Sequence, residues 1–526
     1  MRALFAPEIH RKIFIASGLL AFVSLPFSKF TLTIALMFFF TNWLLEGKWI
    51  QKWNRLKSNY SIFFFFGIYI SLIFGLLLTQ NFTYGVKEIT QKLPLLLIPL
   101  IFASTKPVNE REKQLLLGFF VLAVLVYSLL STYFYFSDYR GSGNVRDISL
   151  FVSHIRFSLM VNISITIVIW GMSRFRPLSK LRFVLETILL SWFIIYLFIL
   201  QSLTGLVILM VMVSFYCFYY AFKIKKIFYK FSILLALVLL WLMSASYLFV
   251  NAREYFGNRQ CIDEIKLLDK TDNGNPYKNY LKDVQYENGN LVWVNLCRKE
   301  LEKEWNARSS IKYVSNDNLG QPIASTLVRY LTSMGLNKDS LGVWSLSEED
   351  INYIEQGVTN VLFKEHKIGF YPRLYQTFWE IDQYKTYGHV SGSSLVQRYV
   401  FARAGVNIFL NNFWFGIGTG DLTDVFNTYY KENEPRLNPD YWYLSHNQFL
   451  TQAVQVGFLG LLVFLWGWFF PLYNQRNSLD LLSFAFFIII TLSMFNEDTL
   501  QTHVGVSLTA LFYGLFLFSV DSNKSL

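Results

Sequence analysis

Apolar residues are gathered into long blocks along this chain. Twelve such blocks are present, and most of them are 17 to 23 residues long. A helix of roughly 20 residues crosses about 30 Å of hydrocarbon. The pattern therefore predicts an all-α polytopic membrane protein with about twelve transmembrane helices, near residues 12–28, 30–46, 61–79, 89–104, 115–137, 155–173, 182–201, 202–222, 231–250, 446–472, 480–496 and 503–520.

A long polar segment separates the ninth block from the tenth. It spans residues 251–445 and carries 21 basic and 24 acidic residues, so its composition is that of an ordinary soluble domain. The chain is therefore predicted to consist of a membrane domain at 1–250, a loop domain at 251–445 and a second membrane domain at 446–526. The fourth apolar block is the weakest, because Lys92 and Pro94 interrupt it.

Charge excludes several classes of protein. Only 16% of the residues are charged, against about 25% in soluble domains, which excludes a soluble enzyme, a disordered chain and a fibrous repeat. The net charge is +11, and 20 basic residues lie in one set of alternate short loops against five in the other. This bias predicts cytoplasmic termini and an external 251–445 segment. It indicates contact with acidic membrane lipids and no nucleic-acid partner.

The external segment is predicted to be mostly helical, with a loop or short hairpin at 270–290. Amphipathic helices are expected at 298–306, 347–356, 373–385 and 395–411, and Ser347 with Asp350 forms a capping box. Cys261 and Cys297 both fall in this segment. An oxidising compartment permits a disulfide between them, with two buried thiols as the alternative. The sequence contains no Cys/His spacing of a metal site, so no metal or other cofactor is expected.

The segment Ser445-His446-Asn447 stands at the outer entry of the tenth block. Ser445 is predicted to cap the helix, which places His446 in its first turn as a neutral imidazole able to accept a proton. Gly457 and Gly460 follow about three turns later and are expected to allow close helix packing. A capping histidine above a small-residue face is the alternative interpretation.

Arginines provide the second and third clusters. Arg398 and Arg403 lie on the predicted 395–411 helix, and guanidinium groups suit a phosphate because they bind oxyanions bidentately. A solvated helix face is the alternative. His154 and Arg156 stand at the outer end of the sixth block, where a buried charge is costly. Arg156 is expected to bind a lipid phosphate or a substrate diphosphate.

An acidic pair and a glycine-rich run complete the candidates. Glu497 and Asp498 lie at the outer end of the eleventh block. This acidic pair could act as a base or orient an arginine, and a plain interfacial loop is the alternative. The run Phe415-Gly-Ile-Gly-Thr-Gly-Asp421 contains Gly416, Gly418 and Gly420. It follows a predicted helix rather than a strand, so we expect a tight structural turn and no nucleotide site.

Together these clusters resemble the bacterial O-antigen ligase family, within the O-antigen ligase/polymerase superfamily. His446-Asn447, nine residues, Gly457, two residues and Gly460 match the family signature. Arg398 and the Phe415 turn stand where that family has an Arg and a Phe-Gly-Ile-Gly-type turn. The stretches 293–338, His154-Ile-Arg156-Phe-Ser and Asn496-Glu-Asp-Thr-Leu-Gln are similar to its Bacteroidetes branch. Where better-studied ligases carry a second Arg, this chain has Ser202-Leu-Thr-Gly205. Either Arg156 replaces that charge, which is the favoured interpretation, or the diphosphate is held differently.

The resemblance implies an inverting, metal-independent membrane glycosyltransferase of the C type. It would move a glycan from undecaprenyl diphosphate to a lipid A–core acceptor at the periplasmic face of the bacterial inner membrane. His446 and Arg398 would be catalytic, and the substrate-binding residues would be Arg156, His154, Asn447, Arg403, Glu497 and Asp498. An O-antigen polymerase and a protein O-oligosaccharyltransferase, acting on a glycan or protein acceptor, are the alternatives. A transporter or flippase and a non-catalytic scaffold are more distant ones.

Overall fold

The computed structural model describes residues 6–138, 148–149, 151–174, 179–259, 267–365 and 370–519. These residues are mainly helical, in agreement with the predicted fold class. The helices before the long polar segment are α1 (Pro7–Phe27), α2 (Lys29–Glu46), α3 (Trp49–Ser58), α4 (Ser61–Gly75), α5 (Phe82–Lys92), α6 (Pro94–Ser104), α7 (Glu110–Asp138), α8 (His154–Arg174), α9 (Lys180–Ile199), α10 (Leu203–Lys223) and α11 (Ile227–Gly257).

The remaining elements begin with a short hairpin. They are β1 (Tyr286–Glu287), β2 (Asn290–Leu291), α12 (Arg298–Arg308), α13 (Ile323–Ser333), α14 (Ser340–Trp344), α15 (Glu348–Glu355), α16 (Leu362–Glu365), α17 (Phe370–Tyr387), α18 (Ser394–Asn411), α19 (Leu422–Asn433), α20 (Gln448–Gln475), α21 (Leu481–Asn496) and α22 (His503–Tyr513), which continues as a π-helical turn to Phe518.

Eight of the described helices are long and apolar enough to cross a membrane, and a ninth span results if α2 and α3, bent by 111°, are counted together. The protein is therefore a multi-pass membrane protein by the length and composition of its helices. Of the other three predicted blocks, the fourth is divided between α5 and α6, and the last two form the shorter apolar helices α21 and α22. The count of twelve, the domain boundaries and the orientation of the termini stay predictions.

The fourth predicted block is interrupted at Lys92 and Pro94, as its sequence predicts. Helix α5 ends at Lys92, and α6 begins with Pro94, whose missing N–H costs nothing in a first turn. Lys92 is buried and pairs with Glu88, 2.9 Å away, so the charge is matched within α5. The block is therefore two helices and not one continuous span.

The membrane helices share one hydrophobic core. Helix α1 packs against α2 and α7, α4 packs against α20, and α8 packs against α9, α10 and α21. Helix α11 lies at the edge, where it contacts α10 and α17 and exposes most of its apolar side chains. The packing of α8, α10 and α21 is what brings the candidate site residues near each other.

The part of the polar segment at residues 267–365 is called the insert. It has a core of its own around Trp305, Leu327 and Tyr330. Its hairpin pairs Tyr286 with Leu291, and both turn residues have positive φ, as a type I′ turn requires. The predicted amphipathic helices are confirmed as α12, α15, α17 and α18, and the predicted capping box of Ser347 and Asp350 is present at the start of α15.

A third core joins α18 and α19 to the beginning of α20. Val400 and Phe401 of α18 pack there with Phe426 of α19 and Val454 of α20. This cluster ties the end of the polar segment to the helix that follows it. The candidate functional site lies beside this cluster.

Candidate functional site

Three segments that are distant in sequence meet at one end of the helix bundle. They are the beginning of α18, the loop before α20, and the loop after α21. Arg398 on α18 donates from Nη2 to Oε1 of Glu497 over 2.8 Å. The second oxygen, Oε2 of Glu497, lies 3.5 Å from Nδ1 of His446. Three residues that the sequence proposed separately as site candidates are thus in contact one after another. This series of contacts is called the Arg398–Glu497–His446 chain.

The predicted placement of His446 inside the first turn of a helix is wrong. Helix α20 begins at Gln448, and its N-cap is Asn447, whose side-chain oxygen accepts from the Leu450 N–H at 3.0 Å. Asn caps helices as well as Ser does, and the Ser445 hydroxyl is already engaged with Thr451 at 2.6 Å. His446 therefore precedes the helix, and the argument from the first-turn dipole does not describe its position.

His446 has a left-handed backbone with φ of 51°. That conformation costs a residue other than Gly roughly 1–2 kcal/mol, so another interaction must hold it. The His446 N–H donates to Oδ2 of Asp498 over 2.9 Å. Its ring stacks on Phe401, with 5.5 Å between the ring centroids, and Tyr443 lies edge-on at 6.0 Å. The imidazole is thus fixed from several sides while its side chain stays 27% exposed.

Asp498 is a buried structural acceptor at this point. Besides the His446 N–H, its other oxygen accepts from the Thr451 hydroxyl at 2.5 Å. Burial raises the pKa of Asp498 above its ordinary value, although His446 and Thr451 oppose that shift. Asp498 therefore sets the backbone of His446.

Glu497 behaves differently from its neighbour. Burial by itself would raise its pKa, but the interactions with His446 and Arg398 outweigh burial and lower the pKa of Glu497 to about 2. Glu497 is therefore an anion at neutral pH. It accepts a hydrogen bond from Arg398 and lies 3.5 Å from Nδ1 of His446, which has no hydrogen-bond partner among the described residues.

Two arginines bring unused hydrogen-bond donors to this place. Arg156 lies in the first turn of α8, donates to the Ser153 hydroxyl at 3.1 Å, and is within electrostatic range of Glu497 and Asp498. The Nε atoms of Arg156 and Arg398 are buried, and neither has a hydrogen-bond partner among the described residues. Buried donors without a partner are costly, so the site has capacity for an anionic ligand.

The beginning of α10 closes the site on the side where the better-studied ligases carry a second Arg. Asn496 donates to the Thr204 hydroxyl at 2.6 Å. A Cβ on Gly205 would lie 2.7 Å from Cβ of Ser158, so α8 and α10 approach closely there. Arg156 and the Ser202–Gly205 turn therefore both lie near the Asn496–Asp498 loop, and the replacement of the missing charge by Arg156 stays a prediction.

The glycine-rich run forms a structural turn, as expected. Gly416 and Gly418 have φ of 74° and 99°, and the turn inserts between α4 and α20. The Ile417 N–H donates to the Val454 carbonyl at 3.0 Å, and the Gly420 N–H donates to the Thr79 hydroxyl at 3.0 Å. The run follows α18 and not a strand, which agrees with the rejection of a nucleotide loop.

Gly457 does not lie in a regular helix, and the close approach expected there is made by a turn and not by another helix. It breaks α20 with φ of 69°, and a Cβ there would lie 2.4 Å from the carbonyl oxygen of Trp414. A Cβ on Gly460 would meet the Val456 side chain at 2.2 Å, which results from the same break. The signature glycines therefore let the Phe415 turn dock into the helix below His446.

The other predicted site residues lie in different surroundings. Arg403 pairs with Glu434 on the exposed side of α18. The Asn447 amide caps α20 and donates to the Phe495 carbonyl at 3.1 Å, and its contact with substrate stays a prediction. His154 begins α8 and is half-buried. Cys297 is buried and Cys261 lies outside the described residues, so their pairing stays a prediction.

Several residues that shape the site were not predicted. Phe401, Tyr443 and Thr451 hold the imidazole or its acidic partner. Each resembles an ordinary core or loop residue in the sequence. Tyr443 lies only three residues before His446, whereas Phe401 and Thr451 act on segments about 45 residues away. In the part of the chain that the structure describes, no group of three or more His, Cys, Asp or Glu residues is arranged to hold a metal ion.

Comparison with known proteins finds a family model that matches part of the chain. No curated protein matches the chain. Residues 353–465 match the family model described as O-antigen ligase, Wzy_C. The match includes Arg398, the glycine turn, His446 and both signature glycines, and it ends before Glu497. Through this O-antigen ligase domain, the protein is a membrane glycosyltransferase of the O-antigen ligase or polymerase type.

Proposed function

We propose that the protein is an O-antigen ligase-like enzyme of the bacterial inner membrane. It transfers a glycan from undecaprenyl diphosphate to a hydroxyl of lipid A–core at the periplasmic face. The observation that supports this proposal is the Arg398–Glu497–His446 chain, with Arg156 beside it. It combines a candidate base with two cations at one place.

The proposed reaction is a single displacement. The acceptor oxygen attacks the anomeric carbon, the bond from that carbon to the diphosphate oxygen breaks, and the diphosphate leaves with the electron pair. Attack opposite the leaving group inverts the anomeric centre. The acceptor proton passes to Nε2 of His446, because Nδ1 faces Glu497.

The arginines would stabilise the charge that develops on the diphosphate. Arg398 and Arg156 each have a buried Nε–H that no described residue accepts, and a guanidinium group binds oxyanions bidentately. Glu497 keeps Arg398 oriented and stabilises the imidazolium after proton transfer. The diphosphate provides the leaving group, so the proposal needs no nucleotide and no metal.

The test is transfer from undecaprenyl-diphosphate glycan to purified lipid A–core, with and without EDTA. Wild type is compared with His446→Ala, Arg398→Ala and the control Lys431→Ala, which removes an exposed cation from α19. We expect EDTA-resistant transfer that falls about 10²–10⁴-fold in the first two variants and persists in the control.

Each other outcome selects a different function. Longer glycan on the donor lipid, without product on lipid A–core, would make the protein a polymerase, and product on a protein acceptor would make it an oligosaccharyltransferase. Loss of transfer in EDTA would contradict metal independence. Equal activity in wild type and His446→Ala would remove the histidine from the mechanism.

A further inference from the structure

A surface cleft lies between the polar insert and the last turn of α17. Its volume is about 300 Å³, and it is lined by Asp283, Gln285, Trp293, Gln383, Tyr387 and His389. That volume is at the lower end of the about 300–1,000 Å³ found for small-molecule sites. The candidate transfer site uses none of these six residues.

One wall of the cleft is built by the insert. The Tyr280 N–H donates to the Trp293 carbonyl at 2.8 Å, and the Val292 N–H donates to the Gln285 carbonyl at 2.9 Å. The Trp293 indole N–H donates to the Gln285 side-chain oxygen at 3.1 Å, which fixes both side chains. The wall is thus preorganised before any ligand binds.

The opposite wall belongs to the end of α17 and the loop after it. Gln383 is buried there, and the Tyr387 carbonyl accepts from Arg436 at 2.8 Å. The Tyr387 hydroxyl is buried and has no hydrogen-bond partner among the described residues. Burial raises the pKa of Tyr387, as do the nearby Asp283 and Asp382, so the hydroxyl stays protonated and able to donate.

The chemistry of the lining selects a class of ligand. Two aromatic rings stand among two amides, one carboxylate and one imidazole, and the lining includes no lysine or arginine. A sugar ring presents an apolar C–H face to an aromatic ring and hydroxyls that both donate and accept. An anionic ligand would meet the Asp283 carboxylate, and the nearby Arg436, which is not a lining residue, already donates to the Tyr387 carbonyl. The lining therefore favours a neutral sugar.

The cleft is joined to the candidate transfer site through the packing of α17 on α18. Arg373 of α17 donates to the Ser394 hydroxyl at 2.8 Å, and the rings of Tyr384 and Tyr399 lie 6.3 Å apart. Tyr384 lies one turn before Tyr387, and Tyr399 directly follows Arg398. The two sites therefore lie on one continuous pair of helices.

We propose that this cleft is a carbohydrate-binding subsite that holds one neutral sugar of a glycan substrate at a distance from the transferred bond. The proposal rests on the proposed function for its role in transfer, but not for sugar binding itself. The sugar belongs either to the glycan of the donor or to that of the acceptor. The insert, whose role the sequence leaves open, would then extend substrate recognition.

The first experiment measures transfer by full-length Trp293→Ala and Tyr387→Phe enzymes with substrates of different glycan length. One arm shortens the donor glycan to a single sugar with the acceptor fixed, and the other shortens the acceptor glycan with the donor fixed. We expect KM for the long substrate to rise about 2- to 10-fold, which corresponds to one stacking contact or hydrogen bond. The rise should shrink in the arm whose glycan occupies the cleft.

Controls separate binding from folding. Trp344→Ala removes an exposed indole of the insert that does not line the cleft and should leave KM unchanged. Tyr387→Phe should leave the thermal unfolding temperature unchanged, since its hydroxyl has no described partner to lose. A fall in kcat with both long and short substrates, or equal loss of thermal stability and activity, would overturn the subsite.

The second experiment does not depend on transfer. Saturation-transfer NMR with the full-length protein in detergent uses maltotriose, mannotriose and triacetylchitotriose as neutral probes and sialyllactose as an anionic one. Binding of a neutral probe that Trp293→Ala weakens at least 3-fold would support the subsite even if wild type transfers nothing. No binding of any probe, or preferred binding of sialyllactose, would overturn it.

Discussion

Buried charged groups have their hydrogen-bonding capacity filled to different degrees in the insert and at the bundle end. In the insert, Asp350 accepts from the Tyr330 hydroxyl at 2.6 Å, from Lys364 at 3.0 Å and from the Ser347 N–H at 2.9 Å. At the bundle end, the Nε atoms of Arg156 and Arg398 have no partner among the described residues, and His446 has a strained backbone. Saturated polar groups stabilise a fold, whereas unsatisfied and strained ones concentrate at functional sites.

The largest expected effect is a loss of stability when the packing at the bundle end is disrupted. Gly457→Ala places a Cβ against the Trp414 carbonyl in a left-handed conformation. Strain of about 1–2 kcal/mol and overpacking of about 1–3 kcal/mol should combine to lower stability by several kcal/mol. Thermal unfolding in detergent measures this loss. Gly118→Ala, in α7 with open space around it, is the control and should be neutral or stabilising.

The next effect separates activity from stability. Glu497→Gln keeps the size of the side chain but removes the charge that holds Arg398 and faces His446. We expect transfer to fall about 10²–10³-fold, while the unfolding temperature changes by only a few degrees. Steady-state transfer and thermal unfolding on the same preparation measure both. A large loss of stability with normal activity in the folded fraction would contradict this prediction, because Glu497 would then serve the fold and not the reaction.

The corresponding change in the insert should do the opposite. Asp350→Asn removes a charged acceptor from a saturated cluster and is expected to lower the unfolding free energy by about 1–3 kcal/mol. Transfer by the folded enzyme should stay close to wild type. Glu349→Gln is the matched control, because Glu349 contacts the same Lys364 at 3.3 Å but is 64% exposed. Its variant should unfold like wild type.

The smallest expected effect is a dependence of the stability of the insert on pH. Ser347, Tyr330 and Lys364 outweigh burial and hold the pKa of Asp350 at about 2, below its ordinary value of 3.8. The unfolded chain therefore binds a proton first as pH falls, and the stabilisation present above pH 4 is lost between about pH 4 and pH 2. The difference in unfolding temperature between wild type and Asp350→Asn should narrow over that window. A constant difference would contradict the role given to Asp350.

Much of the fold follows from the sequence because apolar blocks of this length have few alternatives. The break at Lys92 and Pro94 and the capping box at Ser347 were both predictable, since each depends on residues within one turn. The break at Gly457 was not. Its neighbours are apolar, and the left-handed conformation depends on the Phe415 turn, about 40 residues earlier in the chain.

The candidate site was predictable in its members and not in its geometry. His446, Arg398 and Glu497 were each chosen for their chemistry, and the structure brings them into contact. The position of His446 was wrong because Asn447 and Ser445 compete for the same cap. The decision between them depends on Thr451 and on Asp498, an acceptor 52 residues away. Local patterns cannot reveal such distant partners.

The break in α20 also has a consequence for biogenesis. Four hydrogen bonds join the broken helix to the turn: Ile417 and Gly418 donate to the carbonyls of α20, and Phe458 and Leu459 donate back to the Phe413 and Trp414 carbonyls. In lipid, each such group left unpaired costs several kcal/mol. Helix α20 can therefore adopt its native shape only after the preceding segment has docked. Completion of the site is therefore coupled to docking of the turn.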